Sequence, residues 1–364
     1  MLYYITLTQV CGLKCVYCQN TPDPRIQPID LSYDIEVLKN FISMDPEPYI
    51  CFYGGDPLMR VDLIKLIMDE IPAKRYIIQT NGLNLHKLGG EYISRIDTLL
   101  VSIDGREETT DYYRGKGVYK KVLENIRWAR RNGFKGDLVA RMAVSSNTDI
   151  YEDVVHLISL EDPRFDHVHW QLDVLWDYPP AQRYDDFDKW VSESYNPGIS
   201  RLIRYWIDEM ENGHILGIAP FKGIVYSMLT GENTRRLRCG SGIDAFGIST
   251  DGKIIACPIA PEYRFNVVGD IKGSKPHQLP YSAIVGGPCI SCEYYDLCGG
   301  RCLFANKTML WGVEGFKKVC ETVIHLINEL RSVLPRIRNM LERGIVELGM
   351  LRYPPYTNSV EIIP

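Results

Sequence analysis

Cys11, Cys15 and Cys18 bring three thiols into one short stretch, Cys11-Gly12-Leu13-Lys14-Cys15-Val16-Tyr17-Cys18. Soft thiolates at that density suit an iron–sulfur cluster or a zinc ion. The number three is informative. Structural zinc takes four protein ligands, whereas a [4Fe–4S] cluster on three cysteines leaves one iron open to a substrate or cofactor. An apolar run from Leu2 to Leu7 and a polar turn precede the trio, so the thiols fall on the loop leaving a first β-strand.

The chain holds eleven cysteines, an odd number that fits a disulfide scaffold poorly in 364 residues. Cys51 stands alone beside Phe52 in an apolar run and reads as a buried, inert thiol. The other seven, Cys239, Cys257, Cys289, Cys292, Cys298, Cys302 and Cys320, crowd the last third. Two separated groups of thiols predict metal centres in a reducing, cytoplasmic setting. No apolar run reaches the roughly 18 residues of a membrane span, and the first residues lack the basic and apolar regions of a secretory signal. A net charge of −5 gives no general affinity for nucleic acid. The basic run 127–135 reads as the solvated end of a helix.

The elements that must position these thiols are legible as an alternation. Short strands at Leu2–Thr8, Tyr49–Tyr53, Arg75–Gln79, Thr98–Ile103, Leu138–Val144 and His167–Leu172 are separated by helical patterns near 33–45, 60–70, 84–93, 115–131 and 149–159. This predicts an α/β fold with a parallel sheet, and six units without a seventh and eighth predict an open, partial barrel. Chemistry in such folds collects at the C-terminal ends of the strands. There the sequence places Gly54-Gly55-Asp56-Pro57, Thr80-Asn81-Gly82 and Ser102-Ile103-Asp104-Gly105, with Arg141 inside strand five and Gln171 near the end of strand six. Ser102 and Asp104 share one strand face. A buried Arg141 demands an anion, either a bound carboxylate or an aspartate of the core. His167 and His169 share a face at a spacing that suits a metal, yet no third ligand lies nearby. From about residue 214 the rhythm stops. A hairpin is expected over Phe246–Ile248 and Lys253–Ala256, turning at Asp251-Gly252. So few periodic apolar positions surround the seven cysteines that metal clusters are expected to hold this region together. An amphipathic helix then runs to about Glu342 and breaks toward Tyr353-Pro354-Pro355, a tail that could dock a partner.

The C-x3-C-x2-C spacing, with an aromatic residue before its third cysteine, resembles the cluster motif of the radical S-adenosylmethionine (SAM) enzymes, and the likeness extends over about 1–180. The later pattern is C-x12-G-x4-C, then C-x2-C-x5-C-x3-C, then Cys320; it resembles their SPASM extension. The resemblance implies a partial (β/α)6 TIM-like barrel over 1–213, a bridging region over 214–235, a small SPASM domain over 236–320, and a helix and tail over 321–364. It implies SAM and three [4Fe–4S] clusters as cofactors. Cys11, Cys15 and Cys18 would hold the SAM-binding cluster. Cys239, Cys257 and Cys302 would hold a first auxiliary cluster, and Cys289, Cys292, Cys298 and Cys320 a second. Gly54, Gly55 and Asp56 stand where the family carries Gly-Gly-Glu-Pro and binds the SAM amino group. Ser102 would take a ribose hydroxyl, Asp104 would orient its neighbours, and Arg141 would meet the SAM carboxylate. Gln171 would face the same cavity, and Tyr17 would lie near the adenine. Two departures set the chain apart from the members that mature sulfatases. Those carry an eighth cysteine a few residues after the first auxiliary one, where this chain has Ser241, Asp244 and Ala245, which implies an open iron or a non-cysteine ligand. They also place an aspartate base directly after the second, where this chain has Pro258.

The activity implied is reductive cleavage of SAM to a 5′-deoxyadenosyl radical that abstracts a hydrogen from a peptide or protein side chain. The product would be oxidised or crosslinked through a thioether or carbon–carbon bond. The implied partner is a one-electron donor such as ferredoxin or flavodoxin; because the chain starts directly on strand one, a leader peptide is expected to need another surface or a separate leader-peptide-binding protein. Three readings remain open at this point: oxidation of a small carbohydrate or alcohol, an iron–sulfur electron carrier, and a zinc-stabilised interaction module.

Overall fold

The computed structural model describes residues 1–18, 23–174, 184–232, 235–259, 261–353 and 358–364. Six parallel strands, β1 (Leu2–Thr6), β2 (Tyr49–Tyr53), β3 (Arg75–Thr80), β4 (Thr98–Ser102), β5 (Asp137–Val144) and β6 (His167–Leu172), lie side by side in sequence order. Helices Ile35–Ile42, Val61–Glu70, Val118–Arg131, Ile150–Ile158 and Asn196–Glu211 return the chain between or after them. Strand side chains alternate between two faces. Tyr3, Ile5, Phe52, Ile78, Leu99, Val101 and Val168 join the helices in the main core. The opposite set, Leu2, Tyr4, Cys51, Ile77, Leu100 and Val139, builds a second, smaller core on the inner face. This is the α/β partial barrel that the alternation predicts.

The expected hairpin is present, and it is welded to the barrel. β7 (Ala245–Ile248) pairs in parallel with β1, Leu2 opposite Ala245 and Ile5 opposite Ile248. β8 (Lys253–Ile255) and β9 (Val267–Asp270) follow in antiparallel pairing, which extends one sheet to nine strands. Around it Leu237, Ala256, Cys257, Ala283, Val285, Cys289, Leu303 and Phe316 form a core of their own. The helix Gly312–Glu342, which carries Cys320, packs on the helices Asn196–Glu211 and Ala219–Thr230. Among the described residues no helix is long and apolar enough to cross a membrane.

Two features differ from expectation. A helix over Glu107–Arg114 has the polar sequence EETTDYYR, without an apolar stripe, yet it buries Thr109, Thr110, Tyr113 and Arg114. The tail is also not free to dock. Tyr353 is buried, its hydroxyl donates to Asp137 Oδ2 at 3.2 Å, and the His167 ring meets it edge-on; Pro354 and Pro355 lie outside the described residues. Residues 358–364 then pass inside the barrel, where Val360 and Ile362 complete the inner core. The cause is geometric: strands that curl without closing leave an apolar inner face that something must cover. Asn358 anchors the segment at the strand starts. Its Oδ1 accepts from Arg75 Nη1 (2.6 Å) and Thr98 Oγ1 (3.2 Å), and its Nδ2 donates to Asp137 Oδ2 (3.0 Å). Asn358→Ala leaves these buried groups short of partners and is expected to cost about 1–3 kcal/mol. Urea denaturation would read this as a lower midpoint at unchanged slope.

Candidate functional site

The loop after β1 carries Cys11, Cys15 and Cys18, and the end of β4 fixes it. Asp104, just past β4, is fully buried with both oxygens engaged. Oδ2 accepts from the Tyr17 hydroxyl and from Arg114 Nε, each at 2.7 Å; Oδ1 accepts from Arg114 Nη2 and the Ala143 amide, each at 2.9 Å. The Arg114 guanidinium lies 5.4 Å from the Tyr17 ring centroid, close enough for a cation–π contact. The Val16 amide donates to the Tyr113 carbonyl at 2.8 Å. Tyr17 and Asp104, both expected at the cofactor, are thus bonded to each other and hold the thiol loop in place. Arg114 was not expected in this role; an arginine closing a polar helix carries no mark of it in the sequence.

Within the loop, Cys11 Sγ accepts from the Leu13 amide (3.5 Å) and from Asn81 Nδ2 (3.6 Å). Burial raises the Cys11 and Cys15 thiols, the latter to about 11, and the charge of Cys18 raises both further. The three thiols therefore share one neighbourhood, and a bound metal's positive charge is what would stabilise them as thiolates.

The Gly54-Gly55-Asp56 turn clasps the root of this loop. The Gly55 amide donates to the Thr8 carbonyl at 2.8 Å and the Asp56 amide to the Val10 carbonyl at 2.9 Å. A Cβ on Gly55 would stand 2.5 Å from the carbonyl oxygens of Gln9 and Val10, so only glycine fits. Asp56 is buried. Its Oδ1 accepts from Thr80 Oγ1 at 2.5 Å and from the Asn81 amide at 3.4 Å, while Oδ2 has no hydrogen-bond partner among the described residues, with Asn84 and the Leu58 amide nearby. Burial pushes this carboxyl above its ordinary value. A buried carboxylate oxygen without a donor is what a bound ammonium would satisfy.

Ser102 and Arg141 are register partners across β4 and β5, and Arg141 partners His169 across β5 and β6. Arg141 Nη1 donates to Glu361 Oε2 (3.0 Å) and to His169 Nδ1 (3.1 Å). Its core partner is therefore a glutamate, not an aspartate, and comes from the 358–364 segment. The lone glutamate of Ser359-Val360-Glu361-Ile362-Ile363 gives no sequence signal for this. Gln171 Nε2 donates to the Ile363 carbonyl at 3.3 Å. His167 Nδ1 meets Asp137 Oδ1 at 2.7 Å and its Nε2 meets Lys222 Nζ at 3.3 Å, so the two histidines serve separate polar contacts. Burial, helped by the Arg141 charge, lowers His169 to about 3, so its ring is neutral. Because arginine only donates, Nδ1 accepts and the proton sits on Nε2, which is 3.6 Å from Glu361 Oε2.

Several of the later thiols lie close enough to feel one another's charge. Burial raises Cys239, to about 12, and Cys257; the charge of Cys302 adds to both, and Cys239 adds to Cys257. Burial likewise raises Cys289, Cys298 and Cys320, with Cys292 adding to each and Cys298 adding to Cys289 and Cys320. The Arg301 guanidinium favours the thiolates of Cys298, Cys302 and Cys320. Of the residues standing near the absent eighth cysteine, Asp244 is paired with Arg236, and Ser241 Oγ lies 3.2 Å from Cys239 Sγ. Among the described residues no three His, Cys, Asp or Glu side chains converge on a single-ion site. An iron–sulfur cluster asks for something else: thiols in one neighbourhood, each meeting a different iron. The donor set suits that group.

Residues 5–160 match the Radical SAM superfamily, so the chain carries a radical SAM domain. Over 323 residues the chain is 22% identical to the cysteine-type anaerobic sulfatase-maturating enzyme of Clostridium perfringens (strain 13 / Type A), covering 80% of this chain and 85% of that one. It is 24% identical over 331 residues to the mycofactocin maturase MftC of Mycolicibacterium smegmatis, covering 82% and 77%. The solved structure of native anSMEcpe with bound AdoMet and Kp18Cys peptide shares its fold, at a TM-score of 0.69 and 18% identity over 92% of this chain and 99% of that one.

Two outcomes test this arrangement. Asp104→Ala strands the buried Arg114 charge and releases Tyr17, which is expected to cost about 3–5 kcal/mol and to lower iron retention by the reconstituted chain; thermal melting and iron analysis read both. His169 gives a pH signature. Its folded value lies below the ordinary one near 6.5, so the unfolded chain binds more protons between about pH 6.5 and 3. Stability should fall as pH drops through that window, by up to about 1.4 kcal/mol per pH unit, and His169→Gln should flatten the slope.

Proposed function

We propose that this chain uses SAM-derived radical chemistry to remove a hydrogen atom from a peptide or protein side chain, giving an oxidised or crosslinked product. The observation that carries this reading is the trio of thiols on the loop after β1, with seven more cysteines crowded between Cys239 and Cys320, in a chain whose residues 5–160 match the Radical SAM superfamily. Three thiolates of Cys11, Cys15 and Cys18 would leave one iron position for SAM. The chemistry supplied there when cluster and cofactor are bound is one-electron cleavage of SAM to methionine and a 5′-deoxyadenosyl radical. Around that centre the chain's own groups bind and orient. Asp56 and the Gly54–Gly55 backbone would take the SAM ammonium, Arg141 its carboxylate and Ser102 a ribose hydroxyl. Tyr17, Asp104 and Arg114 keep the thiol loop fixed, which is where the protein's share of the catalysis lies.

Cys239, Cys257 and Cys302, and Cys289, Cys292, Cys298 and Cys320, would hold two auxiliary clusters. A substrate that has lost a hydrogen atom keeps one unpaired electron. Completing a two-electron oxidation requires an acceptor for that electron and a route for one proton, and auxiliary clusters are suitable acceptors. This favours oxidation or bond formation over return of the hydrogen. A peptide or protein substrate is supported by the peptide held in the anSMEcpe structure. The first electron would come from an external carrier such as ferredoxin or flavodoxin.

The test is anaerobic reconstitution, iron analysis and reductive SAM cleavage. About 12 irons per chain and 5′-deoxyadenosine formation are expected. A Cys11/Cys15/Cys18 triple alanine variant should fall to about 8 irons and make no deoxyadenosine. With a deuterated peptide that the chain accepts as substrate, deuterium should move into the deoxyadenosine and the peptide should lose two hydrogen atoms. Zinc in place of iron, or a wild-type chain that never cleaves SAM, would refute the reading.

A further inference from the structure

Residues 358–364 run along the inner face of the barrel from one end toward the other. The segment is tied to the strand starts by Asn358 and turns at Ser359, whose φ of +61° is rare for a non-glycine residue. It then buries Val360 and Ile362. At the far end, the Ile363 carbonyl accepts from Gln171 and the Pro364 carbonyl accepts from Arg301 Nε at 2.8 Å. The helix Ala219–Thr230 makes room for it: a Cβ on Gly223 would stand 2.6 Å from Ile362 Cγ2. Packing alone would be served by any apolar residue at position 361. The chain instead carries Glu361 there, against Arg141.

The contact has a specific form. Glu361 Oε2 and His169 Nδ1 both engage a single nitrogen of Arg141, Nη1. Nε and Nη2 form no hydrogen bond with a described residue, and the side chain keeps 17% of its exposure. The Nε–Nη2 edge is a fork that receives a carboxylate through two parallel hydrogen bonds. The hydroxyl of Ser102, the register partner of Arg141, also forms no hydrogen bond with a described residue. His169 is neutral, so it steadies Nη1 without adding a second positive charge.

The geometry points to Glu361 as a positioning residue, one that fixes Arg141 through Nη1 and so presents the Nε–Nη2 edge to the carboxylate of SAM. This rests on the SAM-binding role of Arg141 proposed above. A guanidinium on a long, flexible stem binds a carboxylate more tightly when its rotamer is already set. A carboxylate at Nη1 leaves the opposite edge open, so Glu361 and the SAM carboxylate can be held together.

The experiment compares the reconstituted full chain with its Glu361→Ala and Glu361→Gln variants by anaerobic equilibrium dialysis. The probes are SAM and decarboxylated SAM, which lacks the group that Arg141 would receive. Glu361→Ala is expected to weaken SAM binding about tenfold, equivalent to one charge-assisted hydrogen bond. Glu361→Gln keeps an acceptor for Nη1 and should recover most of that loss. Decarboxylated SAM should bind all three proteins alike, and iron content should not change. Unchanged or tighter SAM binding by Glu361→Ala overturns the inference. So does an equal loss for both probes, which marks a merely structural role, and so does loss of iron from both variants, which would assign Glu361 to the clusters. A wild-type chain that binds neither probe overturns the SAM site itself; a wild-type chain that binds SAM but ignores the alanine substitution overturns only the role of Glu361.

Discussion

The thiol loop after β1 has no regular structure of its own, and Asp104 gives it a fixed address. One buried carboxylate receives Tyr17 from the loop, Arg114 from the helix Glu107–Arg114 and the Ala143 amide from β5. Three parts of the chain that are distant in sequence meet at two oxygens. Burying a charge pair is costly unless its geometry is good and its remaining lone pairs are satisfied. Here the arginine is bidentate and the other donors fill what is left. The Gly55 contact secures the same loop from the opposite side, through backbone packing that no side chain could enter. Rigid support on both sides is what the proposed three-thiolate centre would require, since it would have no fourth protein ligand to fix its orientation.

The second constraint is the inside of the barrel. Six strands that curl without closing expose Leu2, Tyr4, Ile77, Leu100 and Val139 to one another across a gap. Val360 and Ile362 fill it, and in doing so they bring Glu361 to Arg141. A segment recruited for apolar cover thus carries a charged group into a place no strand residue supplies. Packing and chemistry are linked there through chain connectivity.

The parts legible in the sequence are those encoded by periodicity or by clustered ligands. The strand alternation from Leu2 to Leu172 places the sheet, the helices and the strand-end residues Asp56, Ser102 and Asp104, because period-two and period-3.6 patterns are local. The cysteine groups are legible because thiols are scarce and closely spaced. Contacts made at long range by residues of ordinary type are not. Arg114 lies on a helix with no apolar stripe, and Glu361 is one glutamate in a short segment. The partner of Arg141 therefore reads as an open choice until the segment is seen inside the barrel. Tyr17 and Asp104 are bonded to each other, a pairing that spacing cannot reveal. The 358–364 segment is short and lacks a repeat, so its burial follows from the shape of the cavity around it rather than from its own pattern.

The pairing of β7 with β1 has a consequence for how the molecule comes into being. Leu2 is flanked by Tyr49 on one side and Ala245 on the other. Until residues near 245 arrive, β1 is an edge strand with a row of unpaired amides and carbonyls, and such edges template association between chains. The contact that caps it is among the most distant in sequence, and distant pairings form slowly. The region that supplies it also contains the later cysteines, packed with their own apolar core. Anything that delays the order of residues 245–248 would therefore leave residues 2–6 as an exposed edge, so that a fault late in the chain emerges as association between chains at its start.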